Sequence, residues 1–197
     1  MNRMKSLTLI VLAVFAMSFT EKLIDGKHKV IASESSVKWV GKKVTGQHNG
    51  TISIKNGELI IKDGKLVGGT FIIDMTSITS TDLEGEYLQK LNGHLKSDDF
   101  FGVENYPEAI FKFTTVTAKG KNGSYEVTGD MTIKSTTKSI TFTTQLVNNG
   151  DKLIAVANIV IDRSDFDVRY GSGSFFDNLG DKTIYDDFTL SVNLVTK

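Results

Sequence analysis

The segment FTLSVNL, residues 188–194, alternates apolar and polar side chains without a break. A spacing of two is that of a β-strand with one face in a core and the other in water. The same alternation recurs over residues 125–133 and 140–146. Further β-prone runs cover residues 36–44, 48–55, 58–62, 66–74, 109–118 and 152–161. The pattern predicts an all-β domain of eight or nine antiparallel strands, closed into a barrel because closure removes exposed edges.

Turn sequences stand between these runs and predict hairpins. They are Asn56-Gly57, Asp63-Gly64, Lys121-Asn122-Gly123 and Asn148-Asn149-Gly150. Asparagine, aspartate and glycine tolerate the positive φ that tight hairpin turns require. The run at 152–161 is apolar on both faces, so we expect its outer side to be covered.

One segment departs from the β pattern. Within residues 82–93, Leu83, Tyr87, Leu88 and Leu91 fall at helical spacing, and Gly93 offers a C-terminal stop. The spacing predicts a single helix inserted between strands.

The N-terminus has the features of a secretory signal peptide. Arg3 and Lys5 precede an almost unbroken apolar run of 13 residues, whereas a membrane-spanning helix needs about 20. Small residues at Ala16 and Ser18 favour cleavage near residue 18, so residues 19–197 form the expected single domain. The chain contains no cysteine, which excludes both a disulfide framework and a lipoprotein anchor. We therefore expect a periplasmic or secreted protein.

The charge pattern argues against a nucleic-acid partner. Without Arg3 and Lys5 the chain has 21 basic and 23 acidic side chains, and no long basic run. Nucleic-acid binding instead relies on clustered positive charge.

The sequence offers no recognisable enzyme motif and no metal-binding spacing. It lacks a nucleophile elbow, a phosphate-binding loop, paired zinc histidines and a dinucleotide fingerprint. His28, His48 and His94 stand in unrelated contexts, and the acidic pairs at 98–99 and 186–187 are interpreted as solvated turns. We expect neither catalysis, a catalytic cofactor nor a bound metal.

Arg163 ends the apolar run at 152–161 and has two interpretations. The first, which we favour on sequence alone, is an ion pair with Asp165 or Asp167 that fixes a turn. The second is an arginine at the barrel mouth, where its planar fork of donors meets the carbonyl or phosphate of a lipid head group.

Large side chains fall on the strand faces that we interpret as inward. They are Trp39, Phe71, Phe111, Phe113, Tyr125, Phe142, Phe188 and Leu190. A small barrel is either filled by such side chains or holds one ligand among them, and composition does not separate the two.

A longer signature is similar to that of the YceI-like family. It comprises His94-Leu95-Lys96-Ser97-Asp98-Asp99-Phe100-Phe101, then Tyr106-Pro107 with Phe111. Further matches are Gly69-Thr70-Phe71 with Asp74 and Ser77-Ile78, Gly129-Asp130-Met131-Thr132-Ile133, and Arg163-Ser164-Asp165-Phe166. The resemblance implies an exported, lipocalin-like barrel of about eight strands that binds a polyisoprenoid or an isoprenoid quinone. One departure is Asp167, where the family often has glycine.

The leading hypothesis is therefore a lipid-binding protein that transports, stores or sequesters an isoprenoid chain in its lumen. His94 and Arg163 are the head-group candidates at the mouth. The lid candidates are Tyr87, Leu88, Leu91, Phe100 and Phe101. Its expected partners are the lipid, a membrane touched peripherally or transiently, and a second copy in a homodimer.

Two alternatives belong to other functional classes. A barrel with a filled core would act through a protein partner, with the run at 152–161 as its interface. An enzyme acting on a bound isoprenoid would need His94, Arg163 and the acidic pairs to converge in space.

Overall fold

A computed structural model describes residues 23–120 and 122–197. The predicted signal peptide, residues 1–18, and its cleavage site lie outside the described residues, as does Lys121 of one predicted turn.

Nine strands and one α-helix make up this part of the chain. The strands are β1 (Gly26–Lys29), β2 (Ser36–Lys43), β3 (Gly46–Lys62), β4 (Lys65–Ser80), β5 (Glu108–Ala118), β6 (Ser124–Ile133), β7 (Thr136–Asn149), β8 (Lys152–Asp162) and β9 (Ile184–Thr196). The helix is α1 (Gly85–Lys96), and short 3-10 turns occupy Ala32–Glu34, Arg163–Phe166 and Gly180–Lys182.

The strands close into an eight-stranded antiparallel barrel, as predicted. From β2 the order runs through β9, β8, β7, β6, β5 and β4 to β3, which pairs again with β2. Strand β1 continues the line of β2 between β3 and β9. Its Lys29 pairs with Glu58 of β3, and the following Val30 bridges to Thr196 of β9. The 3-10 turn at Ala32–Glu34 separates β1 from β2.

The prediction of a hairpin at Asn56-Gly57 is wrong. Both residues lie inside β3, which runs for 17 residues and shifts register between Ile54 and Asn56. A Cβ on Gly57 would stand 2.5 Å from the Phe71 ring and 2.8 Å from the Thr70 carbonyl oxygen. The glycine therefore permits a close approach of β4 rather than a turn.

The other predicted turns do connect strands. Asp63 and Gly64 join β3 to β4 with φ values of 52° and 69°, the positive φ that a tight hairpin needs. Gly150, with a φ of 70°, lies in the turn between β7 and β8. Gly123 precedes β6 in the connection from β5.

The two ends of the barrel differ in their connections. The hairpin end carries the short connections from β3 to β4, from β5 to β6 and from β7 to β8. The helix end carries two long connections, residues 81–107 with α1 and residues 163–183. Any large opening or cap is therefore placed at the helix end.

Helix α1 lies three residues later than the predicted 82–93. Its first residue, Gly85, has a φ of +57°, and Asp82 uses its carboxylate outside the helix, bonding Ser80 and His48. At the other end the Ser97 N–H donates to the carbonyls of Gly93 and His94, so the helix continues past Gly93. Burial of Leu95 stabilises this last turn through tertiary packing.

The outer face of β8 is not covered by any described part of the chain, contrary to expectation. Val156 is 41% exposed and Val160 is 62% exposed. Outward valines here satisfy the preference of β-branched residues for strands. In the described part of the chain, no helix is long and apolar enough to cross a bilayer.

Candidate functional site

The barrel is not filled by its own side chains. It encloses a cavity of about 180 Å³, measured as the space that the centres of water molecules can reach. One water needs only about 10–15 Å³ by this measure, so the cavity is much larger than a packing defect. Its lining is almost entirely apolar, with Thr144, Arg163 and Tyr185 as its main polar members.

Seven of the eight predicted lumen residues line this cavity. They are Trp39, Phe71, Phe111, Phe113, Phe142, Phe188 and Leu190. Their inward alternation on the strands accounts for this placement, while their contact with a lipid stays a prediction.

Tyr125 is the exception and does not line the cavity. It is buried near the start of β6, at the hairpin end, where its hydroxyl accepts a hydrogen bond of 3.5 Å from the Leu66 N–H. The alternation correctly gave its face but not its depth along the barrel axis.

An aromatic wall forms one side of the cavity. The ring centroids of Phe71 and Phe113 are 5.7 Å apart. The ring centroid of Phe111 lies 5.4 Å from that of Phe113 and 5.4 Å from that of Phe142. A Cβ on Gly129 would stand 2.6 Å from the Phe111 ring, so this glycine leaves room for the ring against the backbone.

Trp39 lies on β2, which is separated by β3 from Phe71 of the aromatic wall on β4. A hydrogen bond and close packing hold its ring in one orientation. Its indole N–H donates a hydrogen bond of 3.2 Å to the Thr51 carbonyl. A Cβ on Gly50 would lie 2.5 Å from the indole, so the glycine allows the ring to lie flat against β3. This is the one tryptophan of the chain.

Sequence reasoning missed several lining residues. Met75, Ile78, Met131 and Leu95 are buried and line the cavity. The strand alternation that identified the aromatic residues also applies to Met131 and, continued along β4, to Met75. Ile78 lies past a register shift of β4 and does not follow the alternation. Leu95 stands in the His94-to-Phe101 signature, but the helix was predicted to end before it.

The helix end is capped by apolar side chains from α1 and the residues after it. Leu95, Phe100 and Phe101 are buried and line the cavity, and the rings of Phe100 and Phe101 are 5.0 Å apart. Leu91 packs against this core, and Leu88 is half-buried.

Tyr87 does not line the cavity, and its role as a lid residue stays a prediction. Its side chain is 73% exposed and its ring lies 6.0 Å from the Lys90 ammonium. The buried stripe of α1 instead follows Leu88, Leu91 and Leu95 at helical spacing.

Asp82 fixes the segment that leads into α1. It accepts from the Ser80 hydroxyl at 2.6 Å and from the Asn49 N–H at 3.3 Å, and lies 3.0 Å from His48 Nδ1. Burial alone would raise the pKa of Asp82, but the hydrogen bonds from Ser80, His48 and Asn49 together lower it. The ionised carboxylate thus ties this segment to β3.

Arg163 is buried and holds together the two strands that meet at the helix end. Its Nε donates to the carbonyl of Tyr185 at 3.2 Å, Nη1 to that of Val168 at 2.7 Å, and Nη2 to that of Ile184 at 3.0 Å. Burial lowers the pKa of Arg163, although Asp186 opposes the shift.

The predicted ion pair of Arg163 with Asp165 or Asp167 is wrong. Asp186, far along the sequence, is the acidic partner, with Oδ1 3.2 Å from Nη2 but outside hydrogen-bond geometry. Asp165 lies 3.6 Å from Lys138, and Asp167 binds Arg169 at 2.5 Å. The guanidinium instead joins the Val168 carbonyl, just after the turn, to the carbonyls of Ile184 and Tyr185 on β9.

The backbone explains the departure at Asp167. This residue has φ 59° and ψ 32°, in the left-handed region that favours glycine. Aspartate tolerates this region better than most residues, so the turn keeps the same shape without glycine.

His94 lies behind the capping aromatics and does not line the cavity. Its ring centroid is 4.3 Å from that of Tyr170 and 5.5 Å from that of Phe100. Its Nε2 is buried and makes no hydrogen bond within the described structure. Arg163 also lies against Phe100, 5.4 Å from the ring centroid, so the two head-group candidates contact the same ring.

The acidic pairs at 98–99 and 186–187 do not both converge on His94 and Arg163. Asp98, Asp99 and Asp187 are exposed, and only Asp186 reaches Arg163. His28 instead contacts the Ile24 carbonyl at 2.7 Å. Residues 23–120 and 122–197 contain no cluster of three potential metal ligands.

We place the mouth of the cavity beside Gly41, Ile184 and Tyr185, where the lining reaches the surface. Among the described residues that line the cavity, Tyr185 alone is exposed, at 50%. The pairing of β2 with β9 shifts register here, between Gly41 and Lys43. Nothing stands within 4 Å of a Cβ built on Gly41, so a side chain at this position would enter open space.

Solved structures share this fold. The barrel is similar to BcnA of Burkholderia cenocepacia, with a TM-score of 0.69 and 24% identity over 85% of this chain and 99% of that one. It is also similar to a polyisoprenoid binding domain of Saccharophagus degradans implicated in plant cell wall breakdown, with a TM-score of 0.66 and 13% identity, covering 86% of this chain and 97% of that one.

Sequence comparisons agree with the structural ones. A UPF0312 protein of Vibrio parahaemolyticus is 34% identical over 113 residues, which cover 54% of this chain and 56% of the relative. The match therefore spans about half of that protein's length. The model of the YceI-like domain matches residues 28–196. With nearly the whole described barrel covered by that match, the chain belongs to the YceI-like domain family.

Proposed function

We propose that this protein binds an isoprenoid-type lipid, a polyisoprenoid or an isoprenoid quinone, in the barrel lumen for transport, storage or sequestration. The observation that carries the proposal is the apolar cavity of about 180 Å³ with a mouth beside Tyr185. A solved structure of the same fold is described as a polyisoprenoid binding domain, which supports this ligand class.

The polar groups of the lining favour a ligand whose enclosed part is uncharged. The Thr144 hydroxyl donates to the Val156 carbonyl at 3.0 Å, and three carbonyls occupy donors of Arg163. A buried phosphate would lack sufficient partners here, and burying an unpaired charge is costly. A charged head group, where present, is therefore expected at the mouth.

Apolar contact alone supplies useful affinity. Burying about ten CH₂ groups at about 0.8 kcal/mol each contributes about 8 kcal/mol, equivalent to micromolar binding before ordering costs. No specific polar contact is needed for this. Binding rather than catalysis is thus the function that we propose.

The height of the barrel limits how much of a long chain it encloses. Strand β6 has 10 residues, which rise roughly 33 Å and span roughly 23–27 Å of barrel height at a tilt of 35–45°. A longer polyprenyl chain must fold back or leave its tail outside the mouth.

We also propose that the protein acts outside the cytoplasm, in the periplasm or after secretion. The support for this is the charged start, apolar run and small residues of positions 1–18.

Trp39 gives a direct test of ligand binding, since it is the single tryptophan and lines the cavity. Delipidated protein is titrated with geranylgeraniol while tryptophan emission is recorded. We expect saturable change at one prenol per barrel, and the same change to be absent with a short polar alcohol. Unchanged emission, together with no retained prenol after gel filtration, would overturn the proposal.

A further inference from the structure

Exposed aromatic side chains of the described structure are confined to the helix end of the barrel. They are Tyr87 on α1 and Tyr170, Phe175, Phe176 and Tyr185 in and after the second long connection. Exposures range from 39% for Phe175 to 73% for Tyr87. The aromatic rim consists of four of these side chains, Tyr170, Phe175, Phe176 and Tyr185.

The rim is held outward by an anchored loop. Ser172 is fully buried, and its carbonyl accepts from the N–H groups of Phe175 and Phe176 at 3.2 Å and 3.0 Å. The Ser174 hydroxyl donates to Asp186 at 2.7 Å. The hydrogen bonds of the loop therefore hold the two phenylalanines in exposed positions.

The rim lies beside the mouth of the cavity. The Ile184 N–H donates to the Gly171 carbonyl at 2.8 Å, which fastens the loop to the first residue of β9. Ile184 and Tyr185 themselves line the cavity. A ligand passing the mouth thus passes along the exposed aromatic surface.

The charges of the loop are balanced. Arg169 and Lys182 stand with Asp177 and Asp181 over residues 169–182. This composition fits a zwitterionic surface better than a strongly anionic one. Tyrosine and phenylalanine favour the boundary between apolar and aqueous phases, and two adjacent exposed phenylalanines suit insertion at a bilayer surface.

We infer that the aromatic rim docks the barrel mouth onto the surface of a zwitterionic phospholipid bilayer. The inference rests on the proposed function, since an apolar ligand of low water solubility is best received at the membrane that dissolves it. Docking by the rim places the mouth at the bilayer surface and spares the ligand a passage through bulk water.

The test is flotation of the full mature protein with phosphatidylcholine vesicles. The variant Phe175→Ser/Phe176→Ser removes the central pair of the rim. The matched control Val156→Ser/Val160→Ser removes two exposed apolar side chains from the outer face of β8. We expect the rim variant to lower vesicle partitioning by about tenfold, corresponding to about 1.4 kcal/mol, and the control to leave it unchanged.

Three outcomes would overturn the inference. These are a wild-type protein that does not float, a control that falls as far as the rim variant, and binding that requires anionic lipid. If the wild-type protein does not bind vesicles but cross-links through the rim to an envelope protein, the inference is overturned and the rim is a protein-binding surface.

A second measurement separates this inference from the proposed function. Geranylgeraniol is added to wild type and rim variant without vesicles, and Trp39 emission is followed. Equal binding by both proteins, with slower prenol transfer from vesicles to the variant, supports both proposals. Prenol binding without vesicle binding overturns the docking inference alone. Vesicle binding without prenol binding overturns the proposed function.

Discussion

A carboxylate placed in the lumen is expected to expel the ligand. Phe142 lines the cavity and its ring lies 5.4 Å from that of Phe111. Phe142→Asp puts a charge among apolar side chains, with no described cation lining that part of the wall. Thr143→Asp is the matched control, because Thr143 is the next residue on β7 and is exposed on the outer face.

The expected size of the effect follows from desolvation. An unpaired carboxylate in an apolar site costs several kcal/mol, and a loss of about 3 kcal/mol weakens binding by about 150-fold. Loss of the half-buried ring lowers the free energy of unfolding by roughly 1–3 kcal/mol. We expect the free energy of unfolding to remain positive after this loss, so the variant should fold.

The assay combines far-ultraviolet circular dichroism with the geranylgeraniol titration of Trp39. Burial raises the pKa of a carboxyl group, so binding to Phe142→Asp should recover as the pH is lowered towards about 4. Thr143→Asp should bind like wild type throughout. A folded Phe142→Asp protein that binds with wild-type affinity at neutral pH would refute the reasoning, since the ligand would then lie elsewhere.

Four further predictions test the cap, the mouth, the pH dependence and the leader. Hydrogen bonds keep the pKa of Asp82 below 3.8, so its stabilising contribution is complete above that pH and is lost as the pH falls through the lower, folded value; Asp82→Asn should reduce this loss in denaturant titrations at pH 3 and 6. Thr79→Cys/Asn92→Cys replaces a side-chain hydrogen bond of 2.9 Å between β4 and α1 with a disulfide, which should slow prenol release until it is reduced; equal rates in both states would exclude a moving lid. Gly41→Phe, at a site with open space for a Cβ, should slow both uptake and release of the prenol, and unaltered rates would place the mouth elsewhere. Intact-mass analysis of the exported protein should give a chain that begins near residue 19, and a membrane-bound form retaining residues 1–18 would show an anchor instead.

Local patterns predicted what depends on local geometry. Strand faces follow from an alternation of two along the backbone, so the inward placement of Trp39 and Phe188 was available from sequence. The hairpin at Asp63-Gly64 was equally accessible, because its turn needs only residues that tolerate positive φ. Asn56-Gly57 carries the same signature for another reason: Gly57 makes room for a ring from the next strand. A contact with a neighbouring strand cannot be predicted from these two residues alone.

The helix end was less predictable because its contacts are distant in sequence. Arg163 pairs with Asp186 and with carbonyls of the following strand, whereas the sequence suggested its near neighbours. Tyr87 has helical spacing with Leu91, yet tertiary packing selects the adjacent stripe that ends at Leu95. The place assigned to the mouth lies beside a register shift between β2 and β9, which neither strand shows alone.

Native mass spectrometry of the exported protein, purified from its own host without detergent, tests the central claim most directly. Most molecules should carry one added mass that matches an isoprenoid lipid, and unfolding should release that lipid for identification. The bare mass of the mature chain in nearly all molecules, with no prenyl lipid in the organic extract, would contradict the account.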